Sequence, residues 1–253
     1  MIDILYYGFM QKALLAGILT SIACSILGVF LLLRKSAFIS EGLAHISLAG
    51  IALGFLLGYS PILVSAIITA AGAIGIILLK EKAKLYGDTA IGILSYTGLA
   101  FGILLASFNR SSIDLMSYLF GNILAISGFD LSFSVVIALL TLFFIWRYYK
   151  DLFSMTFDEE TAKVSGVNVR RVNFLLAMLV AATVVISMRV VGILLSASFM
   201  IIPAAASLQL CVGFKKTLLF SVLIGVSSVV LGLIASFAFD LPSGPTIVIL
   251  NFA

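Results

Sequence analysis

The stretch TLLFSVLIGVSSVVLGLIASFAF, residues 217–239, decides the fold class, because it carries no charged side chain over its whole length. A helix needs about 20 mostly apolar residues to cross roughly 30 Å of hydrocarbon, so this stretch is long enough to span a bilayer. The whole chain has the same character: 62% of its 253 residues are apolar, 10% are charged, and its mean hydropathy is +1.27. Soluble domains carry about 25% charged residues. The composition therefore excludes a soluble protein and predicts an integral membrane protein.

Charged and turn-forming residues divide the rest of the chain into further apolar stretches. Together they predict eight membrane spans, at 8–33, 36–58, 61–79, 89–108, 129–149, 172–190, 192–212 and 217–239. Because each run is apolar throughout, instead of alternating between apolar and polar residues, the spans are expected to be helices. We therefore predict an all-α, polytopic helix bundle that forms a single transmembrane domain over residues 1–253.

Two shorter apolar pieces lie outside these spans, at 118–126 and Pro245–Ala253. Nine helical residues extend only about 13 Å, so neither piece crosses a bilayer by itself. The first is expected to form a short outer or re-entrant helix. The second is expected to be part of an incomplete ninth span in a truncated chain.

The distribution of basic residues predicts the orientation. The chain has 15 Lys and Arg against 11 Asp and Glu, a formal net charge of +4, but these residues cluster at the ends of apolar runs, so nucleic-acid binding is not indicated. Three of them lie on one predicted face of the membrane: Lys12, Arg110 and Arg189. The others lie on the opposite face: Arg34, Lys35, Lys80, Lys82, Lys84, Arg147, Lys150, Lys163, Arg170, Arg171, Lys215 and Lys216. The richer face is normally cytoplasmic, which predicts an outside N-terminus.

Small residues recur at helical spacing in three of the predicted spans. The rows are Gly50, Gly54 and Gly58; Gly98 and Gly102; and Ser228, Gly232 and Ser236. Such rows let helix backbones approach closely in a membrane. They are interpreted as packing faces; alternatively, one of them lines a movable gate or the seam of a dimer.

Four other residues each allow two interpretations. Pro203, in the seventh predicted span, is either a simple kink or the hinge of a gate. Asp114, Asp130 and Asp240, on the predicted outer face, either cap loops or attract cations.

Glu41 and His45 stand out in the second predicted span, because ionisable side chains are nearly absent from the spans. Four residues apart on a helix, they stack on one face, about 6 Å apart along the axis. His45 is the only histidine of the chain and is predicted to lie near the middle of the bilayer, slightly towards the cytoplasm. Burying ionisable groups there is costly, so they normally face a pore or a partner.

Three interpretations of this pair remain open. The two side chains hydrogen-bond each other or a neighbouring helix, they relay protons, or they pass a metal ion. Carboxylate and imidazole suit Zn²⁺, Mn²⁺ or Fe²⁺. One Glu and one His make half a site, whereas two copies facing each other across a twofold axis provide two of each. An intramembrane hydrolase using Ser40 or Ser47 is not supported, because no oxyanion-forming glycine loop surrounds either serine.

The longest predicted cytoplasmic connection, 150–171, reads KDLFSMTFDEETAKVSGVNVRR. It is predicted to contain a short helix, and is either a solvated connector or a docking element for a cytoplasmic partner. The residues that define the helix are a cap (Thr156 or Asp158), two acidic residues at its positive end (Glu159, Glu160), a terminating glycine (Gly166) and three apolar contacts (Phe157, Ala162, Val164).

Four stretches give the chain a resemblance to the permease subunits of binding-protein-dependent ABC importers for manganese, zinc and related divalent metals. They are FISEGLAHISLAGIALG (38–54), FDEETAKVSGVNV (157–169), VVGILLSASFMIIPAAAS (190–207) and LPSGPTIVIL (241–250). The likeness covers nearly the whole chain, and the first stretch is the most specific.

The resemblance implies roles for particular residues. The family carries an acidic residue, usually Asp, four positions before a His in this helix, and both are implicated in metal coordination along the path. These positions fall on Glu41 and His45, and Glu extends the carboxylate by one methylene, which affects the geometry and the choice between metals. The family's coupling segment implies ATPase docking by these residues: Phe157, Asp158, Glu159, Glu160, Ala162, Val164 and Gly166.

The resemblance further implies an importer in a prokaryotic plasma membrane, with two copies of this chain, two cytoplasmic ATPase subunits and an extracytoplasmic metal-binding protein. The chain has no GxxxxGK[ST] motif, so it is expected to be a transport subunit and not an enzyme. Zinc or manganese is then the transported substrate, moved by alternating access, and no permanently bound cofactor is expected. The alternative is a proton-coupled secondary transporter that uses Glu41 and His45 as a proton relay.

Overall fold

The computed structural model describes residues 8–82, 87–108, 117–122, 126–210 and 213–252. Over these residues the chain forms helices and no β-strand, which confirms the predicted all-α class. Besides a short helical piece at 117–120, the helices are α1 Gly8–Leu33, α2 Phe38–Leu57, α3 Pro61–Lys82, α4 Gly87–Ser107, α5 Gly128–Phe157, α6 Glu159–Val164, α7 Val169–Val190, α8 Ile193–Gln209, α9 Phe214–Phe239 and α10 Ser243–Phe252. Lys84, Arg110, Asp114, Ala253 and residues 123–125 of the predicted short outer piece lie outside the described residues.

Seven of the described helices are long and apolar enough to cross a membrane: α1 to α5, α7 and α9. Each overlaps a stretch predicted as a span. The remaining predicted span, 192–212, forms α8, which has 17 residues and continues through Pro203. The tail forms α10, whose 10 residues extend only about 15 Å and are too few to cross a bilayer.

α5 is longer than predicted. The span was expected to end at residue 149, but the helix continues to Phe157, and non-helical torsion angles at Tyr148 (φ −109°, ψ 16°) mark a kink. At its start, the Ser127 hydroxyl accepts a hydrogen bond from the Asp130 N–H at 3.2 Å, and the Asp130 carboxylate accepts one from the Ser127 N–H at 2.8 Å. Asp130 therefore takes part in a helix cap. Asp240, in the left-handed region with φ of 53°, is the C-terminal cap of α9.

The short helix predicted in the 150–171 connection is present as α6. Asp158 caps it, because one carboxylate oxygen accepts hydrogen bonds from the backbone N–H groups of Glu160 and Thr161 at 2.9 and 3.2 Å. The Thr161 hydroxyl donates to the other oxygen. Hydrogen bonds from the Thr161 hydroxyl and N–H favour the charged carboxylate and lower the pKa of Asp158 from its ordinary value.

The other predicted cap and the predicted terminator of α6 behave differently. The Thr156 hydroxyl donates to the Leu152 carbonyl oxygen at 2.6 Å and does not cap α6. Gly166 follows the helix with φ of 86°, a conformation that glycine adopts without strain. Of the two candidate caps only Asp158 is used, and the glycine lies where the helix was predicted to stop.

α1 and α2 lie at the centre of the described bundle, and most of their residues are buried. α1 contacts α5, α7, α8 and α9, whereas α2 contacts α3, α4, α7 and α8. α4 packs mainly on α2 and keeps most of its own surface exposed. The described chain therefore leaves one side of the α2–α4 pair open.

The rows of small residues are packing faces within the chain. A Cβ added to Gly50 would meet the backbone of Ser65 on α3, and one added to Gly98 would meet Ile46 on α2. On α9, a Cβ added to Gly232 would meet Ile247 of α10. Gly58 is the exception, since it ends α2 with φ of 70°. These rows bring α2 against α3 and α4, and α9 against α10.

Candidate functional site

Glu41 and His45 lie one turn apart near the beginning of α2. Glu41 is in the first turn of the helix, where the helix dipole favours a carboxylate. Its side chain is exposed, and His45, one turn further on, is partly buried. Glu41 lines a cavity with α4 and His45 contacts α4, so both lie on the side of α2 that faces α4. His45 is the eighth of the 20 residues of the helix.

His45 is held by a neighbouring helix and not by Glu41. Its Nδ1 lies 2.8 Å from the hydroxyl oxygen of Ser95 on α4, and its ring centroid lies 6.5 Å from that of Tyr96. When Nδ1 carries the proton and donates it to Ser95, Nε2 keeps its lone pair and can bind a metal ion. Such a hydrogen bond can orient a structural histidine or a metal-binding histidine, so it does not distinguish between the two roles.

Beside Glu41, α2 and α4 line an open cavity of about 250 Å³. Its polar lining comes from Glu41 of α2 and from Asp88, Ser95 and Tyr96 of α4. The three α4 residues could not be singled out from the sequence, because nothing local distinguishes them from the other polar residues of the chain. The usable signal is the small-residue row of α4, since packing of Gly98 on α2 places Ser95 opposite His45.

The described residues of a single chain provide too few ligands to complete a metal site. No group of three or more His, Cys, Asp and Glu side chains that could hold a metal ion occurs among the described residues. Glu41 and His45 therefore offer two ligands, fewer than the four of a tetrahedral zinc site. Tyr96, 69% exposed, and Glu41 lie on the open side of the α2–α4 pair. A carboxylate facing lipid is costly, so we expect water or another subunit to cover this side.

A second polar cluster joins α5 and α7 and is closed within the chain. The Arg189 Nε lies 3.6 Å from an Asp130 carboxylate oxygen, and the Arg189 guanidinium carbon lies 4.4 Å from the Tyr118 ring centroid. The Asn122 N–H donates to the Arg189 carbonyl oxygen at 3.3 Å. Asp130 is 5% exposed. These partners compensate both charges, so this cluster holds helices together and offers no open ligand position.

The residues predicted to dock an ATPase lie on and around α6. Phe157 is 69% exposed and Val164 is 90% exposed, while Ala162 is buried in the core and attaches the helix to the rest of the chain. Phe157, Asp158 and Ala162 line an open cavity of about 390 Å³ beside α6. Exposed apolar side chains next to a concave surface are typical of a contact site for another protein.

Glu159 connects α6 to the membrane helices. Its carboxylate lies 3.5 Å from the guanidinium of Arg34, which follows α1, and 3.1 Å from the ammonium group of Lys163. Burial lowers the pKa of Arg34, and the Glu159 carboxylate opposes that effect. Glu160 is exposed. Of the predicted docking residues, Glu159 thus makes a contact within the chain, and Glu160 is open to a partner.

Comparisons with known proteins all indicate a family of transport proteins. A family model described as "ABC 3 transport family" matches residues 6–253. The manganese transport system membrane protein MntC of Listeria innocua is 33% identical over 246 residues, which cover 97% of this chain and 88% of that protein. The high-affinity zinc uptake system membrane protein ZnuB of Haemophilus influenzae is 35% identical over 241 residues, covering 94% and 91% of the two chains.

A solved structure gives the corresponding result for the fold. The structure described as PsaBC from Streptococcus pneumoniae in complex with Fab matches with a TM-score of 0.89 and 33% sequence identity. The match covers 99% of this chain and 91% of that chain. The two chains therefore share their fold over nearly their whole length.

Proposed function

The chain belongs to the ABC 3 transport family, and from this premise we propose that it is the membrane-spanning permease of an ATP-driven importer for a divalent transition metal, manganese or zinc. Two relatives support the choice of metal, since one is named for manganese transport and the other for zinc uptake. The proposal places the chain in a prokaryotic plasma membrane with its N-terminus outside, in agreement with the distribution of Lys and Arg.

The observation that carries the proposal is the position of Glu41 and His45 on one face of α2, with Glu41 exposed at the open side of the α2–α4 pair and His45 held against α4. The two side chains provide a carboxylate and an imidazole, the ligands that manganese and zinc accept. Because one chain supplies half a site, we propose that a second copy supplies the other half across a twofold axis. Two carboxylates then neutralise the charge of the dication in a medium of low dielectric constant.

The proposal assigns ATP hydrolysis to two separate cytoplasmic subunits that dock at α6. Exposed Phe157, Val164 and Glu160 support this assignment, as does the cavity beside them.

An extracytoplasmic binding protein delivers the metal on the other side. Closure of the ATPase subunits moves α6, and the bundle changes between outward-open and inward-open states around Glu41 and His45. In this mechanism Pro203 of α8 is a hinge candidate, since a proline removes one backbone hydrogen bond from the helix.

The test is ATP-driven uptake of manganese and zinc into proteoliposomes that contain the complete importer, comparing His45→Ala with wild type. We expect the substitution to abolish uptake and to leave assembly intact, because His45 is partly buried and makes one side-chain hydrogen bond, to Ser95. Thr97→Ala is the matched control, since the Thr97 hydroxyl is exposed and donates to the Ile93 carbonyl oxygen of its own helix.

Two outcomes would contradict the proposal. Normal uptake by the His45→Ala importer would remove His45 from the metal path. Uptake by this chain alone, driven by a pH gradient without ATP, would instead support a proton-coupled secondary transporter in which Glu41 and His45 relay protons.

A further inference from the structure

An open cavity of about 660 Å³ lies between α5 and α9, on the membrane face that carries α6, and basic side chains dominate its charged lining. Arg147 and Lys150 of α5 and Lys215 in the first turn of α9 contribute three cations. Asp151 is the one carboxylate among the described residues that line it. Three cations therefore face a single anion.

The three cations form no ion pair with a carboxylate of the described residues. The guanidinium carbon of Arg147 lies 5.3 Å from the centroid of the Tyr148 ring, and the ammonium nitrogen of Lys215 lies 5.9 Å from that of the Tyr149 ring. An aromatic face holds a cation in place but adds no negative charge. The cavity therefore keeps an excess of positive charge, so it attracts an anion and repels a metal cation.

Neither the sequence adjoining the cavity nor the start of α9 supplies another negative charge. Residues 143–157 of α5 are all described, and the two positions before Gly213, Cys211 and Val212, are uncharged. Glu81 lies at the end of α3, which packs on α2, α4 and α7, whereas the cavity lies between α5 and α9. The first turn of α9 contains no acidic residue, and no side chain caps it. Because the N-terminal end of a helix is positive, this end of α9 adds to the attraction for an anion.

Two aromatic side chains add hydrogen-bond donors to the lining, Trp146 and Tyr149. Trp146 is exposed, and the Tyr149 ring contacts the rings of Phe153 and Phe214 at centroid distances of 6.3 and 5.9 Å. Among the described residues, no hydrogen bond engages the Trp146 indole N–H or the Tyr149 hydroxyl. Both groups can therefore donate to the oxygens of a bound anion.

The cavity lies at the expected depth of a lipid headgroup. Trp146 is residue 19 of α5, about 27 Å from the start of the helix, which is close to the roughly 30 Å thickness of the hydrocarbon layer. Trp and Tyr are typical of this boundary. Exposed Phe143 of α5 and Leu219 of α9 extend from the cavity towards the middle of the membrane and offer apolar surface to acyl chains. Basic pockets at this boundary bind the headgroups of anionic lipids.

We propose that this cavity binds the headgroup of an anionic membrane phospholipid, with the phosphate among Arg147, Lys150 and Lys215 and the acyl chains along the exposed apolar side chains of α5 and α9. The cavity lies at the kink of α5 at Tyr148 and joins α5 to α9. The bound lipid therefore holds the last turns of α5, which lead into α6, against the start of α9. This inference is independent of the metal.

The experiment measures phosphatidylglycerol bound to the full chain, purified in a neutral detergent, by native mass spectrometry. Phosphatidylcholine, which lacks the net charge, is the comparison lipid. Each basic residue near a bound anionic headgroup is worth about fivefold in affinity, so Lys150→Gln with Lys215→Gln is expected to weaken phosphatidylglycerol binding about 25-fold. Lys35→Gln with Arg171→Gln is the matched control, since both side chains are exposed on the same face outside this cavity. We expect less than a twofold change for it.

A second variant separates charge from side-chain identity. Lys150→Arg with Lys215→Arg keeps both charges and is expected to retain phosphatidylglycerol, and loss of the lipid from it would overturn the proposal. Equal retention of the two lipids by wild type would also overturn it. Equal weakening by the two Gln pairs would overturn it in favour of diffuse attraction to a basic surface. Displacement of the lipid by millimolar inorganic phosphate would overturn it in favour of a soluble anion.

Discussion

Two pairs of ionisable side chains in the described membrane helices, Asp130 with Arg189 and Glu41 with His45, have opposite environments. Asp130 and Arg189 lie within 3.6 Å of each other, with the Tyr118 ring against the guanidinium. Glu41 and His45 form no ion pair with each other, and Glu41 is exposed on the open side of α2. The chain compensates the first pair internally and leaves the second pair to be compensated by something else.

From this difference we infer which charged side chains stabilise the fold and which take part in transport. An ionisable group in a membrane is retained only if a partner or water offsets its cost. For Asp130 and Arg189 that partner is within the chain, and their loss should affect stability. For Glu41 and His45 the proposed partners are a dication and a second copy, and their loss should affect transport.

The largest expected effect is on stability at the closed pair. Arg189→Met leaves the buried Asp130 carboxylate without its cation, which is expected to cost about 4 kcal/mol of unfolding free energy. Asp130→Asn together with Arg189→Met removes both charges and keeps an oxygen that caps α5. The double variant is expected to recover to within about 1 kcal/mol of wild type. Denaturant titration in micelles measures both. A double variant as unstable as the single one would show that the charge pair is not what holds α5 to α7.

The second effect is on metal binding at the open pair. Glu41→Gln is expected to weaken manganese or zinc binding by more than about 100-fold, since loss of a direct ligand exceeds the 10–100-fold cost of losing a supporting residue. The free energy of unfolding should change by less than about 0.5 kcal/mol, because the side chain is exposed. Calorimetric titration of the assembled importer measures the first quantity. Unchanged metal affinity, or a large loss of stability, would contradict the assignment of Glu41 to transport instead of stability.

The third effect is on the orientation of His45. Ser95→Ala removes the hydroxyl 2.8 Å from Nδ1 and is expected to weaken metal binding about 10-fold. Ser95→Thr keeps the hydroxyl and serves as the control, with its hydrogen bond to His45 checked by the imidazole nitrogen shifts in NMR. If Ser95→Ala binds metal like wild type, Ser95 does not position the imidazole.

The smallest effect is at the ring that covers Arg189. Tyr118→Leu keeps an apolar side chain but removes the aromatic face, which is expected to cost about 1 kcal/mol of unfolding free energy. In the Arg189→Met background the same substitution should have less effect, because no cation remains. Equal costs in the two backgrounds, measured by the same denaturant titration, would show that Tyr118 acts through packing alone.

Much of the fold could be predicted from the sequence because hydrophobic length is a local property. The all-α class and the positions of the long helices agree with the spans expected from the apolar runs. The main error was at the end of α5. The predicted span ends at residue 149, before Lys150, but a charged residue marks the membrane boundary and does not interrupt helical hydrogen bonding. The helix therefore continues for eight residues past 149, to Phe157.

The candidate site could be predicted in part. Glu41 and His45 were identified because such residues are rare in spans and lie four positions apart. Ser95 and Asp88 were missed because they lie on another helix. The small-residue row of α4 indicates a packing face, but the sequence does not show that this face meets α2. The resemblance of four stretches to metal-importing ABC permeases gave the family, which the match over residues 6–253 confirms.

The sequence alone determined that this chain is a bundle of membrane helices and which of its residues can do chemistry, because a bilayer selects each apolar segment independently of the others. Only the tertiary structure decided that Gly98 packs on Ile46, that Ser95 meets His45, and that Asp130 is paired while Glu41 is not. Helices in lipid associate through close contacts between surfaces distant in sequence, and hydropathy does not encode which surfaces meet.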